Sequence, residues 1–386
     1  MQGDVTEILE NLVSFNTVSH RSNLPLLDYV EEFLLDHGFT CERVYDATGE
    51  KANMLARIGP EGPNGFILSG HTDVVPVEGQ EWSRDPFQLC EEDGKLYGRG
   101  SCDMKGFLAC CLAKAGAMAQ APLIRPLYLA FSYDEEIGCV GVRGLLDDLA
   151  AKNFAAEACF VGEPTNMQVV LAHKSKASYR VHFTGFSCHS SLAPQGVNAV
   201  SYAAKLVAKL DEMAAALANG PSDALFDLPY STAHVGVFQG GTALNIVPDS
   251  AEVIFEFRVL PTEDLEACIA EVKDFAFQDL LPQMQSVYPQ ADITFETYSE
   301  IDGLNTSAEA PVSALAKRLA GRNDHAKVAY GTEAGLFQNV LAVPTVVVGP
   351  GSIEQAHKPD EFIERAELDK CLSFLDRLIS QACQPV

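Results

Sequence analysis

The chain has 386 residues, 47 % of them apolar and 21 % charged, with a net charge of −26. That length exceeds the range over which one hydrophobic core keeps growing, so two domains of ordinary globular composition are expected. The acidic balance excludes a nucleic-acid surface, no apolar run approaches the roughly 20 residues of a membrane helix, and Met1 to Glu7 has neither the basic nor the apolar stretch of a secretory leader.

Apolar periodicity predicts helices over Asp4 to Phe15 and Leu24 to His37, the second with Asn23 as its cap, Pro25 in its first turn and Gly38 as its stop. Strands follow at Asn53 to Ile58 and Phe66 to Ser69. An alanine-rich helix over Lys105 to Gln120, a strand from Leu127, a helix over Gly141 to Lys152 and a strand from Cys159 come next. This alternation implies an α/β layered domain. The texture changes near Lys174. Ala177 to Phe183, Thr232 to Phe238, Ala251 to Val259 and Ile293 to Tyr298 read as strands, with long helices over Asn198 to Leu217 and Glu263 to Leu280. The order strand, helix, strand, strand, helix, strand is a split βαβ pattern. After Gly303 the chain returns to a helix (Ala310 to Ala320) and a buried strand (Thr345 to Val348). The expectation is an α/β fold: a helix-covered mixed sheet from residues 1–173 and 300–386, with an inserted α+β domain at 174–299.

Several acids and histidines stand just beyond these apolar runs. Phe66 to Gly70 leads into His71-Thr72-Asp73, Leu127 to Tyr133 into Asp134-Glu135-Glu136, and Cys159 to Gly162 into Glu163. The Thr345 run leads into a glycine loop carrying His357. Continuous apolar strands belong to sheets covered on both faces, where ligands bind beyond the carboxyl ends of the strands. Two histidines and several carboxylates gathered at one edge have the composition of a metal centre.

A centre with two cations needs a bridging ligand, and a carboxylate can bridge because each oxygen can take one ion. The candidates are His71, Asp103, Glu136, Glu163 and His357, with Asp103 the natural bridge. Mixed nitrogen and oxygen donors fit zinc, cobalt or manganese. Asp73 is placed to orient the His71 ring, and Glu135 to take a proton from an attacking water. Each residue alone also has a bland reading: an H-x-D is weak, an E-E pair after a strand is usually solvated, and Asp103 could stand at a helix start. The eleven irregularly spaced cysteines read as reduced thiols of a cytoplasmic protein. Cys102, Cys139 and Cys188 read as packing residues. His173, like the other scattered histidines, reads as structural.

The sequence resembles the aminoacylase and glutamate-carboxypeptidase-like dinuclear zinc peptidases. The matching segments, in order, are S-G-H-T-D-V-V-P at 69–76, L-Y-G-R-G-S-C-D-M-K-G at 96–106, D-E-E-I-G-C at 134–139, G-E-P-T at 162–165, F-S-C-H-S-S at 186–191, G-G-T-A-L-N-I-V-P at 240–248 and A-H-K-P-D-E-F at 356–362. Within that family, residues 349–362 and Thr332-Glu333-Ala334 point to the subgroup that deacetylates acetylornithine. The resemblance implies two divalent ions, zinc with cobalt or manganese as alternatives. One ion would sit on His71, Asp103 and Glu163, the other on Asp103, Glu136 and His357. It makes Glu135 the general base and then acid, with Asp73 orienting His71, and it implies a cis peptide between Asp103 and Met104.

The insert would then be a lid and dimerisation domain of a homodimer. His189 would reach the partner's site to polarise the scissile carbonyl, and Asn245 and Arg258 would contact substrate, the arginine through its carboxylate. The expected partner molecule is a small N-acyl amino acid. The expected reaction is conversion of N2-acetyl-L-ornithine to L-ornithine and acetate. Succinyl-diaminopimelate desuccinylase, N-acetylcitrulline deacetylase or a broader aminoacylase are alternatives, as is a binding protein that kept the fold without catalysis.

Overall fold

A computed structural model describes residues 4–385; Met1 to Gly3, part of the segment Met1 to Glu7 read above, lie outside the described residues. The chain forms two compact units, one of residues 1–172, 304–327 and 332–386, the other of residues 173–303 and 328–331.

The first unit is built on a mixed sheet. Its strands run in the order Thr40–Tyr45, Ala52–Ile58, Leu127–Ser132, Phe66–His71, Ala158–Val161, Thr345–Val347, Val170–His173 and Leu304–Asn305, with Ala326–Val328 beside Val170–His173. The central members are the uninterrupted apolar runs of the sequence. Phe66–His71, Leu127–Ser132 and Ala158–Val161 are buried at every residue, as a sheet covered on both faces requires. Phe66–His71 lies parallel to both Leu127–Ser132 and Ala158–Val161, and Ala158–Val161 is parallel to Thr345–Val347. Four chain segments therefore leave the sheet at one edge.

The helices pack their apolar stripes on this sheet. Ile8, Leu9, Leu12 and Val13 of Val5–Ser14 are buried at helical spacing, and Asp4 caps that helix by accepting from Thr6 N at 3.0 Å. Lys105–Ala113 is buried along its whole length and, through residues such as Phe107, shares a core with Phe66, Phe160 and Phe374. Asn23 stands at the N-cap of the helix Leu24–Asp36, but its side chain makes no cap hydrogen bond. Its amide instead donates to Ala52 O and Thr72 Oγ1, both at 2.9 Å, and its Oδ1 accepts from Ala52 N at 3.1 Å. A buried amide stitches more by tying a strand to a loop than by serving a helix end that already has Pro25 in its first turn.

Several features have no counterpart among the predicted elements, among them the edge strand Thr40–Tyr45, the strands Val170–His173, Leu304–Asn305 and Ala326–Val328, the helix Ala334–Leu341, a small sheet of Phe362–Glu364, Lys95–Tyr97 and Cys90–Glu92, and the closing helix Arg365–Ala382. The alanine-rich helix is two, Lys105–Ala113 and Ala115–Gln120, meeting at Lys114.

The second unit is a four-stranded antiparallel sheet in the order Thr232–Gly240, Ser250–Val259, Ser175–Thr184, Asp292–Ile301. Alternate residues Tyr179, Val181, Phe183, Val253, Phe255 and Phe257 are buried against Leu206 and Leu210 of the helix Ala199–Ala218 and Ile269 and Val272 of Leu265–Asp274. Asn198 and Asp264 cap these helices, accepting from Ser201 N (2.9 Å) and Ala267 N (3.2 Å). Among the described residues, no helix is long and apolar enough to cross a membrane.

Candidate metal centre

His71 is the last residue of its strand and sits opposite Ser132, the last residue of the neighbouring parallel strand. The peptide Asp134-Glu135-Glu136 therefore emerges beside His71-Thr72-Asp73. Asp134 adopts φ +54°, a left-handed turn, and its carboxylate is fixed by Lys51 Nζ at 2.7 Å from each oxygen. Glu163 follows the next strand, and His357, with φ +62°, lies on the loop beyond Thr345–Val347. Asp103 stands just before the buried helix Lys105–Ala113, and the Asp103–Met104 peptide is cis, as the family resemblance implies.

These side chains meet. His71 Nε2 lies 3.1 Å from Asp103 Oδ1 and 3.8 Å from Glu163 Oε1. His357 Nε2 lies 3.3 Å from Asp103 Oδ2 and 3.0 Å from Glu136 Oε2. Asp103 thus offers one oxygen to each histidine. Two groups of donor atoms fall within 4.8 Å of one another, His71 with Glu135 and Glu163, and His71 with Asp103 and Glu136.

The electrostatics explain what such a cluster needs. Burial, reinforced by Asp103, pushes the Glu136 carboxyl up to about 7, and burial pushes Glu135 up to about 8. Glu163 is driven well up by burial and by the Asp103 charge. Burial also pushes Asp103 up, but hydrogen bonds from His357 and His71 outweigh it and hold the carboxyl low. The His357 imidazole is raised to about 10 by its bonds to Asp103 and Glu136. Four carboxylates in one buried pocket repel each other and can coexist only by binding protons or cations. Glu136 Oε1 and Glu163 Oε1 are both buried without a hydrogen-bond partner. Orphaned carboxylate oxygens aimed into a ring of acids and imidazoles fit divalent cations, and the oxygen and nitrogen donors suit zinc, cobalt or manganese.

Asp73 does more than its spacing from His71 implies. His71 Nδ1 lies closer to the backbone carbonyl of Asp73 (2.9 Å) than to its carboxylate (3.5 Å). With the Nδ1 proton on that carbonyl, Nε2 is left to face the acids. The Asp73 carboxylate accepts from Glu135 N (3.1 Å), Glu136 N (3.3 Å) and Ser19 Oγ (2.7 Å). It therefore holds the peptide that presents the Glu135 and Glu136 side chains. Beneath them, Glu333 is fully buried and accepts from Ser69 Oγ at 2.5 Å and Ser132 Oγ at 2.8 Å. It pins together the ends of the strands that carry His71 and Asp134 to Glu136. Cys139 Sγ donates to Glu135 Oε1 at 3.2 Å, and burial pushes the Cys139 thiol well up, which makes it a neutral donor rather than a nucleophile.

The family model of Peptidase family M20/M25/M40 matches residues 67–381, a span holding every one of these side chains except Ser19 and Lys51. The chain belongs to this family. It is accordingly a metal-dependent hydrolase. An acetylornithine deacetylase of Photorhabdus laumondii is 33 % identical over 387 residues, covering 98 % of this chain and 97 % of that one. Among solved structures, an M20 family metallo-carboxypeptidase of Sulfolobus solfataricus has a TM-score of 0.77 at 20 % identity, covering 99 % of each chain. A dinuclear metal binding peptidase of the same family from Bacillus subtilis has a TM-score of 0.68 at 17 % identity, covering 99 % of this chain and 98 % of the other. These likenesses agree in fold with the mixed-sheet α/β architecture.

His189, Asn245 and Arg258 belong to the second unit. His189 is exposed and caps the short 3-10 helix Ser190–Gln195, its Nδ1 accepting from Ser191 N at 3.2 Å. Asn245 is beside it, its carbonyl accepting from Ser190 N at 3.0 Å. Arg258 lies on Ser250–Val259, where its Nε donates to Glu256 Oε1 at 2.9 Å.

Proposed function

We propose that the chain hydrolyses the amide of N2-acetyl-L-ornithine to L-ornithine and acetate at two divalent cations, zinc by preference. His71, Asp103 and Glu163 would hold one ion, and Asp103, Glu136 and His357 the other, with Asp103 between them. The observation that carries the hydrolytic reading is Asp103 itself, whose two oxygens face His71 and His357 separately. The choice of substrate rests on the name borne by the relatives that match nearly the whole chain. The reading extends to a small N-acyl amino acid as partner molecule and to the cytoplasm as location. The latter is supported by eleven cysteines that are all free.

When bound, the two cations polarise the amide carbonyl and make the attacking water acidic. Glu135 does the proton work. Burial raises the proton affinity of its carboxyl above that of an ordinary glutamate, the direction a general base requires. It takes a proton from the water as the carbonyl carbon is attacked, then gives that proton to the leaving nitrogen. Asp73 keeps Glu135 aimed through its backbone amide.

In this reading residues 174–299 serve as lid and dimerisation domain. Because His189 Nδ1 accepts a backbone N–H, its neutral ring carries the proton on Nε2, a donor suited to the substrate carbonyl oxygen of the partner's site. Arg258 would turn part of its guanidinium fork to the substrate carboxylate, with Asn245 as a further polar contact. A homodimer is supported by the sheet's two open edges, Thr232–Gly240 and Asp292–Ile301, and by exposed Phe238, Leu244 and Ile246. The decisive experiment compares turnover of acetylornithine, acetylcitrulline and succinyl-diaminopimelate by zinc- and cobalt-loaded protein. Preference for either rival substrate would displace the acetylornithine assignment while leaving the hydrolase standing.

A further inference from the structure

Asp103 and His357 come from loops far apart in the chain, yet their side chains meet within hydrogen-bonding distance. What holds the two loops in register is a buried ion pair outside the ligand ring. Glu361 is 1 % exposed and has every oxygen engaged. Its Oε1 accepts the backbone N–H of Cys102 (2.9 Å) and of Asp103 itself (3.0 Å). Its Oε2 accepts Gly100 N–H (3.1 Å) and Arg99 Nη1 (2.7 Å). Three amides of one tight turn thus converge on one carboxylate, which fixes the peptide planes leading into Asp103.

Arg99, equally buried, carries the connection onward. Its Nη1 also points to Lys358 O at 3.3 Å, its Nη2 donates to Gln80 Oε1, and Gln80 Nε2 donates to His357 O at 2.9 Å. The Arg99 guanidinium is further stacked 4.9 Å from the Trp82 ring centroid. An unbroken line of hydrogen bonds therefore runs from Asp103 N through Glu361, Arg99 and Gln80 to the carbonyl of His357. His357 needs such support, since its φ of +62° is a backbone state that a non-glycine residue holds only when its surroundings impose it.

We propose that Glu361 and Arg99, with Gln80, are positioning residues that set Asp103 against His357 and thereby fix the affinity of the site for its cations, without touching them. This rests on the metal-ligand reading of Asp103 and His357. A buried ion pair is a weak source of stability compared with an apolar pair of the same volume, so its presence here fits a geometric role. Arginine is required rather than lysine, because one planar fork must meet Glu361 on one nitrogen and Gln80 on the other.

The test measures zinc and cobalt dissociation constants by competition with a chromophoric chelator. Each protein's apo melting temperature and cobalt visible spectrum are recorded alongside. Glu361→Gln keeps the shape but turns an amide NH2 towards N–H groups. It should weaken metal binding by about 10–100-fold, the usual effect of removing such a support, and alter the cobalt spectrum. Gln80→Ala, at a half-buried position, should weaken binding by a smaller factor with the apo melting temperature unchanged, and Arg99→Lys should not preserve wild-type affinity. If Glu361→Gln does not fold, Gln80→Ala decides. Wild-type affinity and spectrum in the folded variants would overturn the proposal. A wild-type protein that binds neither cation would instead overturn the reading of the site, and this inference with it.

Discussion

In the proposed mechanism, Glu135 is the residue on which turnover depends most directly. Glu135→Gln keeps the volume and the contact with Cys139 but removes the proton acceptor. Turnover should fall by about 10²-fold or more, with zinc content by elemental analysis unchanged. Retention of normal turnover would assign the base to another group. Most residues of the candidate site stand in the sequence as acids and histidines after apolar runs, because burial of those strands dictates where the chain must emerge; Asp103, ahead of a buried helix, is the exception. Their supports were not legible. Asp73 could be placed beside His71 from spacing, but its bonds to Glu135 N and Glu136 N join residues more than 60 positions apart. Glu333 and Glu361 lie in segments that carry the family resemblance, but their work as supports shows only when the fold brings Ser69, Ser132 or the Asp103 amide to them. Asn23 stands at the helix start as expected, but its side chain serves a strand and a loop rather than the helix it precedes.

At the scale of elements, the site depends on how closely strand ends approach. Gly349 follows the Thr345 strand, and a Cβ there would lie 2.0 Å from Gly162 O and 2.6 Å from Glu163 O. These neighbours are backbone and cannot swing aside. Gly349→Ala should therefore destabilise the protein by about 1–3 kcal/mol or more, read from denaturant midpoints, and should weaken metal binding by displacing Glu163. Gly62→Ala is the control, since nothing lies within 4 Å of a Cβ at Gly62, and it should change stability by less than about 0.5 kcal/mol. Equal effects from the two substitutions would refute the argument. The closing helix Arg365–Ala382 shows a different limit of sequence reading. Its buried positions Leu368, Cys371, Phe374, Leu375, Leu378, Ile379 and Ala382 carry helical spacing, so the signal was present among many charges. The edge strand Thr40–Tyr45 had no such signal: its residues are all exposed or half-buried.

For the whole molecule, acid sensitivity has a definite sign. His173 is fully buried, and desolvation lowers its imidazole to about 4 from the usual 6.5. Below pH 6.5 the unfolded chain takes a proton that the folded one refuses until about pH 4, so the unfolded state gains protons and is favoured. The contribution is intact above pH 6.5 and is lost progressively as pH falls through that window. His173→Gln should flatten the stability curve between those limits relative to wild type; parallel curves would remove His173 from the account. Assembly is tested by mixing. If His189 acts across a dimer, His189→Ala subunits combined with Glu135→Gln subunits should regain turnover, because each heterodimer holds one intact site. Proven subunit exchange without recovery would confine His189 to its own subunit's site or exclude it from catalysis.

The strand order of the first unit also constrains how the protein is made. Thr345–Val347 lies between Ala158–Val161 and Val170–His173, two strands that are close neighbours in sequence but not in the sheet. During synthesis those two strands emerge from the ribosome first, with a gap between them that only residue 345 onward can fill, and His357 and Glu361 come later still. The second unit, nearly all one continuous stretch, is complete before that gap closes. A nascent chain can thus fold its insert early, while the cluster of acids stays open until the last few dozen residues arrive. Truncation before residue 345 would leave the gap in the sheet unfilled and remove His357, a proposed ligand, and would place exposed apolar strands within reach of chaperones and proteases.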